Sequence, residues 1–145
     1  MKNSHFLSGL ILVFAFFFTT KANSQSIPTV AEVKTFLNSN HFLVTYREGE
    51  AVYGTYYFID IHYCSSGLYG LLGKSVKQTV LGNEQRNSWE EYGNWNVIEY
   101  NGNVGVYYKP ANAPERFYPV YRLPNGNLST GEGISIVKQG KAICN

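Results

Sequence analysis

The chain has 145 residues, of which 16% are aromatic, and its 12 basic and 10 acidic residues give a formal net charge of +2. This excess corresponds to Lys2 and Lys21, which lie in a segment that we predict to be removed, so the remaining chain is neutral. Because no positive excess is left to attract phosphates or anionic lipids, we exclude nucleic-acid binding and electrostatic membrane binding as expected functions.

The first 24 residues have the pattern of a secretory signal peptide. Lys2 precedes an apolar run at residues 6–18, which is too short to span a bilayer core that needs about 20 residues. Small residues follow at Ala22 and Ser24, as a signal-peptide cleavage site requires. We therefore predict cleavage before Gln25 and no membrane span afterwards. The product would be a secreted or periplasmic protein of one small domain, about 121 residues long.

The predicted helix lies in the N-terminal segment, residues 25–41. Thr29 and Glu32 have the spacing of a capping box, in which each side chain bonds the backbone N–H of the other residue. Apolar residues then recur at helical spacing: Val30, Val33, Phe36 and Leu37. A helix of about nine residues is too short to be stable alone, so this apolar face should pack on the rest of the protein.

Residues 42–145 are predicted to form a single β domain. The longest predicted strand is 51–64, where apolar residues at odd positions make one wall and mixed residues at even positions face the other way. Its hairpin partner is predicted at residues 68–73. Residues 74–91 show no clear alternation, and we interpret them as an irregular crossing or a short strand.

A second hairpin is predicted around Asn101-Gly102, because this dipeptide tolerates the positive φ angles of a type I′ turn. Closing the turn there gives four cross-strand pairs: Tyr100 with Asn103, Glu99 with Val104, Val97 with Val106, and Trp95 with Tyr108. One face of this hairpin is then apolar and should belong to the core. Gly93 is predicted to turn the chain into the first of the two strands.

Turn signals continue towards the end of the chain. Residues 124–126 (Pro-Asn-Gly) predict a three-residue hairpin loop. Pro119 predicts that residues 117–123 form an edge strand or a bulged strand, because proline has no backbone donor. Residues 139–140 (Gln-Gly) are predicted to turn the chain after a strand at residues 134–138.

Two cysteines in an exported chain predict a disulfide between Cys64 and Cys144. The bridge would close a loop of about 80 residues, for which the chain-entropy model gives roughly 4–5 kcal/mol of stabilisation. It would hold the last strand against the sheet, where an untethered end would fray. The alternative is a reactive thiol at Cys64.

Together these segments indicate a mainly β fold, namely an antiparallel barrel or half-barrel with one short N-terminal helix. The Cys-Ser-Ser-Gly turn at residues 64–67, the Gly-Asn-Trp at residues 93–95 and the Asn/Gly-rich approach to the closing strand carry a resemblance. The chain resembles small exported lipocalin-like β-barrel proteins of bacteria over most of its length, from Val52 to Cys144. Many of those proteins have no assigned function, so the resemblance implies a fold and no particular ligand.

Aromatic residues are the candidate ligand-binding groups, because tyrosine and tryptophan combine apolar area with a hydroxyl or an N–H donor. Tyr53, Tyr57, Trp95 and Tyr108 are predicted to line a shallow site at one mouth of the barrel. The preferred function is therefore a non-enzymatic exported binding protein that uses no cofactor. Its partner would be a small apolar molecule, a glycan or another protein, with inhibition as one form of protein binding.

The alternative function is a small hydrolase or a metal-dependent enzyme centred on Asp60, His62 and Ser65. Asp60, His62 and Cys64 alternate along one strand, where a carboxylate, an imidazole and a thiol could activate a nucleophile or bind a metal. However, successive residues on one face of a strand are roughly 6–7 Å apart, too far for direct hydrogen bonds. Because His41 is the only other histidine after the signal peptide, no metal site is predicted.

Overall fold

The computed structural model describes residues 26–50, 52–79, 82–131 and 133–144. The predicted signal peptide and its cleavage point before Gln25 lie outside these described residues. Within the described residues, no helix is long and apolar enough to cross a membrane.

One helix and nine strands make up the regular structure of the described residues, which confirms a mainly β fold with one short N-terminal helix. The elements are α1 (Val30–Leu37), β1 (Asn40–Glu48), β2 (Thr55–Tyr63), β3 (Leu68–Gln78), β4 (Glu84–Tyr100), β5 (Asn103–Pro110), β6 (Arg116–Pro119), β7 (Tyr121–Arg122), β8 (Leu128–Ser129) and β9 (Ser135–Lys141).

Seven strands form one antiparallel sheet in the order β6-β5-β4-β3-β2-β1-β9, and β7 pairs with β8 in a separate small hairpin. The edge strands β6 and β9 do not pair with each other within the described residues, so a closed barrel is wrong and the sheet is open. β6 has only four residues and ends at Pro119 on the edge of the sheet, where a proline without a backbone donor is tolerated. This short edge leaves too little strand to close a barrel. The edge strand predicted at residues 117–123 is confirmed only in its first part, because β6 ends at Pro119 and Tyr121–Arg122 form β7 in the separate hairpin.

The predicted capping box starts α1. The Thr29 N–H donates to Glu32 Oε2 over 2.8 Å, and the Glu32 N–H donates to Thr29 Oγ1 over 3.2 Å. Val33 and Leu37 are buried, and the helix packs on β1, β4 and β5. The short helix is therefore stabilised by tertiary packing, as its length requires.

The hairpin of β4 and β5 has the predicted turn and the predicted register. Asn101 and Gly102 have φ angles of 50° and 75°, and all four predicted pairs are present. The predicted apolar face is buried: Trp95, Val97, Val104, Val106 and Tyr108. The prediction of a turn at Gly93 is wrong, because Gly93 lies within β4. A Cβ there would lie 2.2 Å from the carbonyl oxygen of Lys109, so glycine permits close approach of β5.

The interpretation of residues 74–91 is wrong. β3 continues to Gln78, and β4 begins at Glu84 and is the longest strand, with 17 residues. Residues 84–88 are exposed, so they lack the alternation that marks a half-buried strand. Conversely, the strand predicted at 51–64 begins only at Thr55.

The last strand also extends further than predicted. β9 runs through residues 139–140 to Lys141, so the turn predicted there is wrong. Its pairing with β1 shifts between His41 and Phe42, which face Gly140 and Lys138, so one extra residue is accommodated as a β-bulge. The Pro-Asn-Gly turn at 124–126 is confirmed, since it joins β7 to β8 with Gly126 at a φ of 84°.

Cys64 and Cys144 lie at disulfide distance, with their sulfur atoms 2.05 Å apart, which confirms the predicted pair. The backbone of the tail after β9 also donates two hydrogen bonds, one to a backbone oxygen and one to a side chain. The Ala142 N–H donates to the Ser39 oxygen over 3.0 Å, and the Ile143 N–H donates to His62 Nδ1 over 3.1 Å. The tail is thus tied to the start of β1 and the end of β2, and paired Cys64 has no thiol to act as a nucleophile.

Candidate functional site

A cavity of about 580 Å³ lies on one face of the seven-stranded sheet. Its lining includes Arg116 and Tyr118 from the edge strand β6 and Ile136 from the opposite edge strand β9. Strands from the two edges meet at one cavity only if the sheet curls, so this face is concave. The volume lies within the range of about 300–1,000 Å³ that is usual for small-molecule sites.

The walls of the cavity come from the alternation of residues along β1 and β2. Phe42 pairs with Ile61, and Val44 pairs with Ile59, and all four line the cavity. Because successive side chains of a strand face opposite ways, the odd positions of β2 form one apolar wall, as the sequence predicts.

One end of the cavity is closed by α1. Val33 and Leu37 are buried there, and the rings of Phe36 and Phe42 pack with centroids 4.9 Å apart. Next to them the ring of Tyr63 packs edge-on against Trp95 at 5.0 Å. This end is filled by side chains and belongs to the core.

The other end carries three aromatic side chains, Tyr46, Tyr57 and Trp89, which we call the aromatic rim. Tyr46 and Tyr57 are stacked at 4.7 Å, and Trp89 meets Tyr57 edge-on at 6.4 Å. The exposed residues Arg47 and Glu48 line the cavity at the same end. The cavity therefore opens at the aromatic rim.

Three polar side chains lie beside the apolar wall, and we call Tyr69, Glu91 and Arg116 the polar cluster. The Tyr69 hydroxyl donates to Glu91 Oε1 over 2.7 Å, and Arg116 Nη2 donates to the same oxygen. Glu91 and Arg116 line the cavity. The Nε atom of Arg116 is buried and has no hydrogen-bond partner among the described residues. An unpaired buried donor costs about 1–3 kcal/mol, so an acceptor supplied by a ligand would be favourable here.

The buried tyrosines near the cavity have raised hydroxyl pKa values. Burial raises the pKa of Tyr63 to about 12, and its hydroxyl is hydrogen-bonded to that of Tyr108. Burial and the neighbouring Tyr63 also raise the pKa of Tyr108, and burial and the bond to Glu91 raise the pKa of Tyr69. These hydroxyls are neutral at physiological pH, so they serve as hydrogen-bonding groups rather than as bases.

The four predicted ligand-binding residues lie in different places. Tyr108 lines the cavity and Tyr57 belongs to the aromatic rim. Trp95 is buried, and its indole N–H donates to the carbonyl oxygen of Cys64 over 3.0 Å. This donor is therefore already used within the protein and is not offered to a ligand. Tyr53 lies in the turn between β1 and β2 and is 47% exposed. Of the four, only Tyr108 therefore lines the cavity, and Tyr57 packs against two residues that do, Tyr46 and Trp89.

Sequence reasoning missed Tyr46, Trp89 and Arg116. Tyr46 had a usable signal, because it continues the alternation of Phe42 and Val44 along β1. Trp89 fell in residues 74–91, the segment interpreted as an irregular crossing or a short strand. Arg116 has no local signal, since its role depends on Glu91, 25 residues earlier in the chain.

A second cluster of functional side chains lies on the other face of the sheet, where Asp60 and His62 alternate with the cavity residues of β2. His41 stands directly opposite His62 on β1. The two imidazoles are stacked, with centroids 4.0 Å apart and planes 11° apart. His41 Nε2 is hydrogen-bonded to Asp60 Oδ1, and His62 Nε2 lies 3.7 Å from that same oxygen.

Burial and the charge of His41 lower the pKa of His62, although Asp60 opposes this shift. The sequence analysis set His41 aside, because its place opposite His62 depends on strand register. Asp60 and His62 are brought together as the enzyme hypothesis requires. Ser65, however, lies in the turn after β2 and lines a separate polar depression whose lining includes Lys34 and neither of these two residues.

Comparisons of the chain with known proteins found no match. No protein-family model, no curated protein and no solved structure is significantly similar to it. The resemblance to lipocalin-like proteins stays a prediction.

Proposed function

We propose that this protein is an exported, non-enzymatic, lipocalin-like binding protein that holds a small, mainly apolar molecule in the cavity. The observation that carries the proposal is the cavity of about 580 Å³, which is closed at α1 and open at the aromatic rim. Export is supported by the signal-peptide pattern of residues 1–24 and by the disulfide, which is typical of oxidising compartments.

Apolar residues on the cavity wall are incompletely covered by the protein. Val44, Ile59, Leu71 and Ile136 all line the cavity and are only partly buried, although they adjoin the core. Removing apolar surface from water contributes about 25 cal/mol per Å². A small apolar ligand would cover this wall and gain that free energy, whereas a glycan would leave its hydroxyl groups unpaired there.

The polar cluster supports a ligand with one hydrogen-bond acceptor on an otherwise apolar body. The buried Nε–H of Arg116 is a donor without a partner among the described residues. Because Glu91 already pairs with Arg116, the cluster carries little net charge, and a carbonyl or hydroxyl oxygen suits it as well as an ionised group. A few directional polar groups in an apolar pocket are usual for small-molecule sites.

The geometry supports binding over catalysis. Tyr63, Tyr69 and Tyr108 have raised pKa values, which makes them poorer bases at neutral pH. The enzyme hypothesis rests on Asp60 and His62, which face away from the cavity, and on Ser65, which lines a different depression. We therefore favour the binding protein over the hydrolase or metal-dependent enzyme.

The test uses the protein expressed from its full sequence, purified untagged and titrated with an apolar naphthylamine fluorophore. We expect a saturable fluorescence increase that small apolar molecules reverse in competition. Leu71→Trp fills the cavity and should weaken fluorophore binding by about tenfold or more, because overfilling removes the space that the ligand needs.

The matched control is Leu72→Trp. Leu72 is the next residue on β3 and is exposed on the opposite face, so its substitution should leave fluorophore binding unchanged. Circular dichroism verifies that both variants are folded. Absence of saturable binding in the folded protein, or equal binding by the two variants, would count against the cavity as a ligand site.

A further inference from the structure

We propose that His41, Asp60 and His62 form a binding site for a divalent transition-metal ion on the convex face of the sheet. One ligand atom from each residue can be chosen so that all three lie within 4.8 Å of one another. Two imidazole nitrogens approach a single carboxylate oxygen, Asp60 Oδ1. The site lies on the opposite face of β2 from the cavity and does not depend on the proposed ligand-binding function.

The fold builds this arrangement from strand register. His41 and His62 are directly opposite each other on β1 and β2, and Asp60 lies two residues before His62 on the same face. The imidazole side chains are only 22% and 24% exposed, whereas Asp60 is 47% exposed. The two rings are therefore held in place by their surroundings, and the carboxylate remains open to an ion arriving from solvent.

The donor set selects the kind of metal. Two imidazole nitrogens and one carboxylate oxygen suit Zn²⁺, Cu²⁺ and Ni²⁺, whereas Ca²⁺ and Mg²⁺ prefer sets made of oxygen alone. Three protein ligands leave at least one coordination position for water. We take Zn²⁺ as the probe because it has no redox chemistry of its own.

Binding would require a defined change in the protonation of His62. In this structure the Ile143 N–H donates to His62 Nδ1 over 3.1 Å, so neutral His62 carries its proton on Nε2. A metal ion on Nε2 needs the lone pair of that atom, and the proton must then move to Nδ1. A protonated Nδ1 cannot accept from Ile143, so metal binding breaks this hydrogen bond.

The same reasoning applies to His41. Its Nε2 bears the proton that is shared with Asp60, and metal binding moves this proton to Nδ1 of the same ring. Each of these changes moves a proton within one ring, so the protein gains and loses no proton. The ion thus replaces a hydrogen bond between β1 and β2 with coordination bonds, without any oxidation or reduction.

The first experiment is calorimetric titration of the untagged, chelator-treated protein with zinc chloride. We expect one zinc ion per chain. His41→Ala and Asp60→Asn should each lower the affinity by more than about tenfold, since loss of even an outer-sphere partner typically costs 10- to 100-fold. Glu90→Gln is the control for removing one acidic charge, because Glu90 is exposed on β4 and is not one of the three ligands.

The second experiment follows the Ile143 amide by nitrogen-15 NMR during the same titration. We expect its resonance to move and its hydrogen exchange to accelerate on zinc binding, because its acceptor is lost. Absence of zinc binding would overturn the proposal, as would equal affinity in the folded Asp60→Asn and Glu90→Gln variants. Zinc binding that leaves the Ile143 amide unchanged would show that His62 Nε2 is not a ligand, and would overturn the three-residue site.

Discussion

The indole of Trp89 lies directly on Gly73 of the neighbouring strand. A Cβ at Gly73 would be 2.1 Å from the ring, a distance that no side chain tolerates. Glycine at this one position therefore allows Trp89 to fold over β3 and join Tyr57 in the aromatic rim. The position of Trp89 at the cavity mouth therefore depends on the absence of a side chain at Gly73.

We predict that Gly73→Ala displaces Trp89 from the aromatic rim. The intrinsic fluorescence of Trp89, measured in a Trp95→Phe background, should shift, and the affinity for the naphthylamine fluorophore should fall. The control is Gly70→Ala in the same strand, where an added Cβ meets nothing within 4 Å. Equal spectra and equal affinities for the two variants would show that the Trp89 position does not matter for the cavity mouth.

We predict that removing the disulfide destabilises the protein by about 2–5 kcal/mol, the usual range for a small exported domain. The bridge constrains the unfolded chain and also holds the tail whose Ile143 N–H bonds His62. Urea unfolding of the Cys144→Ser variant and of the parent protein measures this difference in the free energy of unfolding. The double variant Cys64→Ser/Cys144→Ser should behave like the single one, and a single variant as stable as the parent would contradict the prediction.

We predict a loss of stability at alkaline pH that depends on Tyr63. Burial raises its pKa to about 12 in the folded protein, whereas an unfolded tyrosine has a pKa near 10. The unfolded chain loses this proton first, so the stabilisation is complete below about pH 10 and is lost as the pH rises towards about 12.

The measurement is urea unfolding between neutral and alkaline pH. Tyr63→Phe should reduce the alkaline loss of stability, and Tyr92→Phe, at an exposed position, serves as the control. An identical pH dependence in both variants would mean that Tyr63 does not contribute.

We predict that Thr29→Ala lowers the free energy of unfolding by about 1 kcal/mol. Thr29 Oγ1 accepts from the Glu32 N–H at the start of α1, and typical losses for a capping residue are about 0.5–2 kcal/mol. Thr29→Ser keeps the hydroxyl and should retain most of the stability. Thermal or urea unfolding of the two variants measures the difference, and a serine variant as unstable as the alanine variant would argue against the cap.

Local sequence signals were sufficient for the features whose partners lie close along the chain. The capping box of Thr29 and Glu32 spans three residues, and the turn at Asn101 and Gly102 sets the register of its own hairpin. In both cases backbone geometry and a few neighbouring side chains determine the structure. The disulfide was also predictable, because two cysteines allow only one pairing.

Other features of the fold depended on contacts that no local pattern encodes. Residues 84–88 are exposed, and they form a strand because β3 pairs with them. The sheet stays open because its two edge strands, β6 and β9, do not pair with each other among the described residues. Their relative position depends on all the strands between them. Such outcomes follow from the whole set of strand pairings rather than from propensity.

The candidate site shows the same division. The apolar wall of Ile59 and Ile61 follows from alternation along one strand, and it was predicted. Two pairs of polar neighbours were not predicted: His41 with His62, and Arg116 with Glu91. Each pair joins two strands, so its contact requires the register between them. A slip of one residue would send either partner to the other face of the sheet, so the pairing of strands decides which polar groups meet.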